Sequence, residues 1–132
     1  MTAPLREVLL RAPDDAFGAA FDSPAHGYRH AVDLAEAQRQ HEAFASLLTA
    51  LGVTVHLLDG EGLGPDSIYT FDSLLVSDRG AIPLRSGKPT RLGEEKAAEA
   101  WTSSRGIPTL GRIAAPGTVD GGDTFWLVPD LF

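Results

Sequence analysis

The pattern of apolar and polar residues predicts strands and helices that alternate along the chain. The clearest element is a helix, because apolar positions recur every three or four residues from Leu34 to Leu51. Asp33 is the predicted N-cap of this helix, with Glu36 in the capping-box position. Gly52 suits the left-handed position that follows a helix C-terminus. The segment between these signals is therefore expected to be an amphipathic helix.

Short apolar runs bounded by turn residues predict the strands. One strand is expected at 5–11, before the helix, and another at 53–58, after it. Residues 12–31 contain several glycines and prolines and are expected to form a long loop, a kind of segment that often covers a binding site. The second half of the chain predicts strands at 68–76 and 81–85, a helix at 91–104, and strands at 106–113 and 124–128.

This order of elements suggests an internal repeat with a period near 60 residues. Each copy holds an extended segment, a helix and a further extended segment. A single copy has one helix and a small sheet, which is too little to bury its own apolar face. We therefore expect the two copies, at about 1–60 and 61–132, to pack on each other within one α/β structure.

Composition and charge narrow the function classes. The 132 residues carry a formal net charge of -7, which argues against nucleic-acid binding and is compatible with a cationic ligand or with solubility alone. No cysteine is present, so disulfides, thiolate metal sites and cysteine nucleophiles are excluded within these residues. No apolar run is long enough for a membrane span, and the N-terminus does not resemble a signal peptide, so we expect a cytoplasmic protein.

Three aspartates lie where predicted strands meet loops, and they are the candidate chemistry of the chain. Asp72 lies inside an apolar run, so it either faces solvent or lines a polar pocket that binds a cation. Asp120 precedes Gly121 and Gly122, which either form a hairpin or let a ligand approach closely. Asp66 lies just before the run at 68–76. If the three carboxylates converge, they would form a negatively charged cradle for a planar cation.

The basic and imidazole side chains give weaker signals. Arg91 could form a surface salt bridge, or it could bind a substrate carboxylate through its fork of donors. His41 lies on the apolar face of the predicted helix, where a packing role is expected. His26, His30 and His56 show no metal-ligand spacing, so no metal site is expected.

Four stretches in order along the chain resemble the dimethylarginine dimethylaminohydrolases, which belong to the guanidino-modifying (pentein, amidinotransferase-like) superfamily. The stretches are VDLAEAQRQHEAF (32–44), PDSIYTFDSLLV (65–76), SGKPTRLGEE (86–95) and APGTVDGGDTFWL (115–127). The resemblance implies a propeller of five ββαβ modules, of which this chain would hold about two, as the N-terminal part. It also implies that no cofactor is required.

The resemblance also assigns roles to individual residues. Asp120 matches the family's active-site acid, and Asp72 matches the acid that holds the guanidinium nitrogens. Asp66 matches the acid near the substrate amino group, and Arg91 matches the arginine that binds the substrate carboxylate. Phe17 falls where a backbone carbonyl in the lid loop contacts the ligand. A guanidinium is a permanent planar cation, which carboxylates bind through paired charge-assisted hydrogen bonds.

The family reaction implied by the resemblance uses a cysteine that attacks the guanidinium carbon, releases an amine and is then hydrolysed to leave citrulline. A histidine serves as general acid and base. Neither this cysteine nor this histidine is expected in the chain, which we therefore predict to be inactive alone. The family often has an acid just before the Asp72 position, where this chain has Phe71, so arginine or another guanidino compound is as open as dimethylarginine.

Three functions follow as expectations. The leading one is the N-terminal part of a guanidino-group hydrolase, whose small-molecule ligand carries a guanidino group. The first alternative is a non-catalytic fragment or binding domain for such a ligand, and the second is a relative of the arginine deiminases or amidinotransferases. Two modules would leave sheet edges and a core face uncovered, so we expect self-association or a complementary C-terminal half as partner.

Overall fold

The computed structural model describes residues 4–125, which divide after Ile68 into two compact units. The unit that ends at Ile68 is built on a βαβ arrangement. Strand β1 (Glu7–Leu10) pairs in parallel with β2 (Thr54–Leu57), and helix α2 (Leu34–Ala50) connects them; α1 (Asp15–Gly18) is a short helix before it. These strands lie within the predicted ranges.

Local signals set both ends of α2. The side chain of Asp33 accepts a hydrogen bond from the backbone N–H of Glu36 at 2.9 Å, as expected of an N-cap residue. The helix ends before Gly52, whose φ of 83° is the left-handed conformation that favours glycine. Both predictions are confirmed, because capping depends on residues that are close in sequence.

The predicted loop at 12–31 contains more regular structure than expected. Besides α1, it holds two short 3-10 helices, Ala20–Asp22 and Pro24–His26. The side chain of Asp14 starts α1 by accepting the N–H of Phe17 at 3.2 Å. The glycines and prolines of this segment therefore accompany short helical turns and do not indicate an irregular loop.

The unit that begins at Tyr69 combines a hairpin with a helix. Strands β3 (Leu74–Ser77) and β4 (Gly80–Pro83) pair in antiparallel register, and α3 (Glu94–Ser104) packs on them. Residues Leu74, Ala81 and Ala98 form the buried centre, with Ile107 packed against it. The prediction of a hairpin followed by a helix is confirmed for this unit.

The predicted strand at 68–76 is wrong for most of its length. Two 3-10 helices, Pro65–Ile68 and Thr70–Ser73, occupy its first part, and only Leu74–Ser77 is extended. Ser73 donates its hydroxyl to the carbonyl of Thr70 at 3.0 Å, which is a local alternative to pairing in a sheet. Asp72 therefore projects from a tight turn and not from a strand.

Two other predicted strands are shorter or absent. In the predicted strand at 106–113, the structure has a single parallel bridge between Ala81 and Thr109. At the predicted strand 124–128, Thr124 has an extended backbone but neither it nor Phe125 belongs to a paired strand, and the rest lies outside the described residues. The 3-10 helix Gly121–Asp123 precedes them.

The two units belong to the α/β class. The division into modules at about 1–60 and 61–132, and the count of two modules in five, stay predictions.

Candidate functional site

Asp72 is held at both of its carboxylate oxygens. Its Oδ2 accepts a hydrogen bond from Nη1 of Arg91 at 2.8 Å, and its Oδ1 accepts the backbone N–H of Gly122 at 3.1 Å. The Asp72 side chain keeps 23% of its surface exposed. An ionised carboxylate can accept about four hydrogen bonds. Asp72 is therefore fixed in orientation and still accessible to a further donor.

Arg91 joins Asp72 to a second acid, Glu94. Arg91 donates from Nε and Nη2 to the carboxylate of Glu94 over 2.9–3.3 Å, while Nη1 donates to Asp72. The side chains of Arg91 and Glu94 are only 9% and 7% exposed. Burial by itself would lower the pKa of Arg91, but the hydrogen bonds and charges of Glu94 and Asp72 outweigh it and raise that pKa. Arg91 therefore stays charged between two carboxylates.

The two glycines after Asp120 bring a second segment against Asp72. Gly121 is buried, and a Cβ built on it would lie 1.9 Å from the carbonyl oxygen of Phe71. Only glycine permits this close approach of two backbones. Gly122 follows and donates its N–H to Asp72. The structure thus shows Gly121 allowing two protein segments to approach each other, while the predicted close approach of a ligand stays a prediction.

Asp120 lies directly before these glycines, at the N-terminus of the 3-10 helix Gly121–Asp123. Its Oδ1 is buried and has no hydrogen-bond partner among residues 4–125. A buried carboxylate oxygen without a donor is costly and needs an explanation in each case. Asp120 thus has an acceptor available, in the same unit as Asp72.

A narrow gap lies beside the charged network. It is bordered by Asp72, Leu84, Ser86 and Glu95, with Arg91 and Glu94 also on its wall, and it does not admit a water-sized sphere. Pockets for small molecules are usually roughly 300–1,000 Å³. The gap is therefore a closely packed part of the network and not a ligand pocket.

Asp66 lies in the unit that ends at Ile68, where it is 7% exposed. Its Oδ1 accepts a hydrogen bond from the hydroxyl of Tyr28 at 3.1 Å. The ring of Tyr28 packs edge-to-face on Phe17, with 5.9 Å between the centroids and 78° between the planes. The structure thus brings two predicted site residues, Phe17 and Asp66, to the same aromatic side chain.

The backbone around Phe17 is anchored by an ion pair between a buried arginine and a partly exposed aspartate. Arg11 is 2% exposed and donates to Asp14 at 2.6 Å and to the carbonyl of Gly60 at 3.2 Å. The same Asp14 accepts the N–H of Phe17 through its other oxygen. The position of α1, and with it Phe17, is therefore tied to the end of β1.

The predicted site residues fall into two groups. Asp72, Arg91 and Asp120 belong to the unit that begins at Tyr69, while Phe17 and Asp66 belong to the other unit. Asp72 and Asp120 are linked through the segment Gly121–Asp123, as described above. Convergence of all three aspartates on one point stays a prediction.

Sequence reasoning missed two residues, Glu94 and Tyr28. Glu94 lies three residues after Arg91 in the first turn of α3, a spacing that suits an ion pair. That spacing was the available signal. Tyr28 comes from a segment of no regular pattern and meets Asp66 across 38 residues, so no local signal could identify it.

The described part of the chain holds neither a metal-binding cluster nor a membrane-spanning helix. No group of three or more histidine or acidic side chains in residues 4–125 could hold a metal ion. Within the same range, every helix is too short or too polar to cross a lipid bilayer.

Comparison with curated proteins identifies relatives of this chain. It is 39% identical over 101 residues to the N(G),N(G)-dimethylarginine dimethylaminohydrolase of Pseudomonas aeruginosa, which covers 76% of this chain and 39% of the relative. It is 32% identical over 120 residues to an uncharacterised protein of Aeropyrum pernix, covering 88% of this chain and 43% of the relative. No family model matches the chain.

Solved structures with a similar fold include members of the same family. A dimethylarginine dimethylaminohydrolase variant from Pseudomonas aeruginosa, complexed with citrulline, superposes with a TM-score of 0.78 at 31% identity, covering 92% of this chain and 46% of that one. The C264A mutant of AgrE, in a binary complex with L-arginine, reaches a TM-score of 0.74 at 20% identity, covering 92% of this chain and 18% of that one; it shows the fold alone. The chain spans 39–45% of the length of the curated relatives it matches.

Proposed function

The chain is a dimethylarginine dimethylaminohydrolase-like protein with the pentein fold over about half the length of those relatives, and from this premise we infer that it forms the carboxylate-bearing side of a guanidino-group hydrolase site. The ligand in this proposal is a small molecule with a guanidino group, such as arginine or a methylated arginine. Two of the curated relatives carry the name of that activity, and one solved neighbour holds citrulline.

The proposal rests above all on the geometry of Asp72. Its carboxylate is fixed by Arg91 on one oxygen and by Gly122 on the other, and the side chain remains partly exposed. Such a carboxylate is oriented before a ligand arrives, so little entropy is lost when a planar cation binds. The acceptor sites that remain suit the N–H groups of a guanidinium.

The other predicted residues take supporting roles in this proposal. Asp120, whose buried oxygen has no donor among residues 4–125, is assigned as the acid that orients the general base or the guanidinium. Asp66 would bind the substrate amino group, and Phe17 would contact the ligand through its carbonyl. The carboxylate-binding role of Arg91 stays a prediction. Its contacts support an additional role, which is to orient Asp72.

The chemistry requires groups that this chain lacks. The 132 residues contain no cysteine, so the nucleophile that the resemblance implies would come from another polypeptide segment. The general acid–base histidine would come from the same source. In this proposal the present chain binds and orients the guanidinium, and the complementary part attacks its carbon.

A second candidate is a non-catalytic domain that binds a cationic ligand. The absence of cysteine and the formal charge of -7 favour it, because both suit binding without covalent chemistry. The neighbours near 20% identity that act on arginine share the fold alone, so a deiminase-type or amidinotransferase-type relative stays a third possibility.

The proposal is tested by binding and by turnover. We expect the chain to bind L-arginine and dimethylarginine in an NMR titration, with Asp72→Asn about tenfold or more weaker, because a charge-assisted hydrogen bond is lost. Asp78→Asn is the matched control, since Asp78 is an exposed aspartate in the turn of the same unit. Equal binding by the two variants would contradict the proposal.

Measuring citrulline release distinguishes the two candidate functions, part of a hydrolase and a non-catalytic binding domain. The chain alone is expected to release none from either compound. Addition of a polypeptide that corresponds to the remaining part of the relatives is expected to produce turnover that Asp72→Asn abolishes. Turnover by the chain alone would refute the assigned division of labour, and binding without turnover in the mixture would favour the non-catalytic function.

A further inference from the structure

The chain contains two Asp-Gly dipeptides, Asp59–Gly60 and Asp120–Gly121. In such a dipeptide the backbone nitrogen of the glycine can attack the side-chain carboxyl carbon of the aspartate, because glycine has no Cβ to obstruct the approach. The new bond joins this nitrogen to Cγ, and the amide proton leaves with the carboxyl hydroxyl as water, which gives a cyclic succinimide. Water then opens either carbonyl of the ring, so the product is aspartate or isoaspartate.

The Asp59–Gly60 dipeptide meets the conditions for this reaction. Asp59 is exposed and lies in the irregular segment after β2, where water has access to its carboxylate. Its Oδ1 accepts a hydrogen bond from the backbone N–H of Glu61 at 3.1 Å. Because the donor lies two residues after the acceptor, this hydrogen bond folds the side chain back over the peptide that joins Asp59 to Gly60. The carboxyl group is therefore held on the side of the attacking nitrogen.

The Asp120–Gly121 dipeptide is protected by its packing. Gly121 is buried in a 3-10 helix, and a Cβ built on it would lie 1.9 Å from the carbonyl oxygen of Phe71, so two backbones are in close contact there. Ring closure turns the peptide plane between the aspartate and the glycine, which this contact opposes. At Gly60 the closest group to a built Cβ is the guanidinium of Arg11, which is the end of a side chain and not backbone.

The Asp59–Gly60 dipeptide is also connected to the segment that carries Phe17. The carbonyl of Gly60 accepts a hydrogen bond from Nη2 of Arg11 at 3.2 Å, and Nε and Nη1 of this buried arginine have no hydrogen-bond partner among residues 4–125. In isoaspartate the main chain passes through Cβ and is one carbon longer, so the Gly60 carbonyl would be displaced. Arg11 would then lose an acceptor, and the Asp14 that it holds is the residue that caps Phe17.

We propose that Asp59–Gly60 is a site of spontaneous isoaspartate formation in the folded protein, and that this modification loosens the Arg11–Asp14 anchor of α1. The reaction needs only the chain and water. It does not depend on the guanidino ligand, so the inference goes beyond the proposed function and stands or falls separately from it.

The test measures where isoaspartate accumulates. The complete chain is incubated at neutral pH and body temperature for several weeks, once folded and once unfolded in urea. Protein L-isoaspartate methyltransferase with labelled S-adenosylmethionine quantifies the product, and peptide mass spectrometry locates it. In the folded chain we expect several-fold more isoaspartate at position 59 than at position 120. In urea the two positions should react at similar rates, because both are then Asp-Gly dipeptides without tertiary contacts.

Two variants test the assignment of the site. Asp59→Glu keeps the charge but would have to close a larger, six-membered ring, so it is expected to remove most methyl acceptance from the folded chain. Asp78→Glu is the matched control, since Asp78 is also exposed in a turn but is followed by Arg79. It should leave methyl acceptance unchanged.

The effect on α1 is measured by hydrogen exchange on the isoaspartate fraction, separated by ion exchange. The Phe17 amide, which donates to Asp14 at 3.2 Å, is expected to exchange faster than in the unmodified chain. The Glu36 amide is the control, because it donates to Asp33 in an equivalent cap at the start of α2 and should be unchanged.

The outcomes test the two parts of the proposal separately. Equal isoaspartate at positions 59 and 120 in the folded chain, none at 59, or full methyl acceptance in Asp59→Glu would overturn the site. Isoaspartate at 59 with unchanged exchange at Phe17 would overturn the coupling to α1. Accumulation at 59 together with faster exchange at Phe17 alone supports both parts.

Discussion

Replacing Arg91 by methionine is expected to destabilise the unit that begins at Tyr69, because two carboxylates would lose their shared cation. Methionine keeps much of the apolar stem of the arginine side chain, so the change removes little besides the guanidinium group. Glu94 is 7% exposed and accepts three contacts from Arg91 at 2.9–3.3 Å, so water has little access to replace them. Asp72 is 23% exposed and can be partly rehydrated. Most of the loss should therefore come from Glu94.

The expected magnitude follows from this burial. Removing one partner of a buried ion pair costs about 3–5 kcal/mol, since an uncompensated charge stays inside the protein. Arg39→Met is the matched control: Arg39 pairs with Glu36 at the same three-residue spacing, but these side chains are 67% and 44% exposed. An exposed pair contributes about 0–1 kcal/mol. The two methionine variants should differ by several-fold in their effect on the free energy of unfolding.

The assay is equilibrium unfolding in urea, followed by circular dichroism, for both methionine variants. Glu94→Gln and the double variant Arg91→Met/Glu94→Gln complete a thermodynamic cycle. The double variant should be more stable than the sum of the single losses predicts, because it removes the stranded charge. Hydrogen exchange at the Gly122 amide localises the effect. If Arg91→Met costs no more than Arg39→Met, the reasoning about the buried network is wrong.

Two further predictions concern packing and association. Gly121→Ala is expected to lower the thermal midpoint by the equivalent of about 1–3 kcal/mol, because its Cβ would lie 1.9 Å from the carbonyl oxygen of Phe71. Gly122→Ala is the control and should change the midpoint little, because its Cβ would make an ordinary 3.4 Å contact with Asp72. Equal midpoints for the two variants would contradict this account. The chain is also expected to self-associate when no complementary half is present, with a sedimentation coefficient that rises with concentration; a monomer at every concentration would refute it. The apolar side chains that support this expectation are 50–71% exposed on α2 and at the residue that follows it: Phe44, Leu47 and Leu51.

Only part of the candidate site could be predicted from the sequence. Three of the site residues could be selected from the sequence, because charged side chains beside apolar runs or glycines are unusual: Asp72, Arg91 and Asp120. Their partners could not be selected in the same way. Tyr28 meets Asp66 across 38 residues, and Gly122 meets Asp72 across 50, so both contacts depend on how distant segments pack.

The segment at 68–76 shows why an apolar run is ambiguous. Its composition favours a strand, but periodicity cannot separate a strand from short helical turns over so few residues. Hydrogen bonds from Ser73 to Thr70, and from Arg91 to Asp72, stabilise the turn. Only the second of these depends on tertiary structure, and it is the one that orients the candidate functional side chain.

The sequence by itself determined the elements whose signals are local: α2 from its Asp33 cap to Gly52, the strands at its two sides, and the hairpin at β3 and β4. Capping, turn formation and amphipathic periodicity act within a few residues, so they can be read along the chain. Tertiary structure alone decided that Arg91 reaches Asp72 and that Asp120 keeps a buried oxygen without a donor among residues 4–125. Burial and charge pairing depend on which distant segments meet, and no local pattern contains that information.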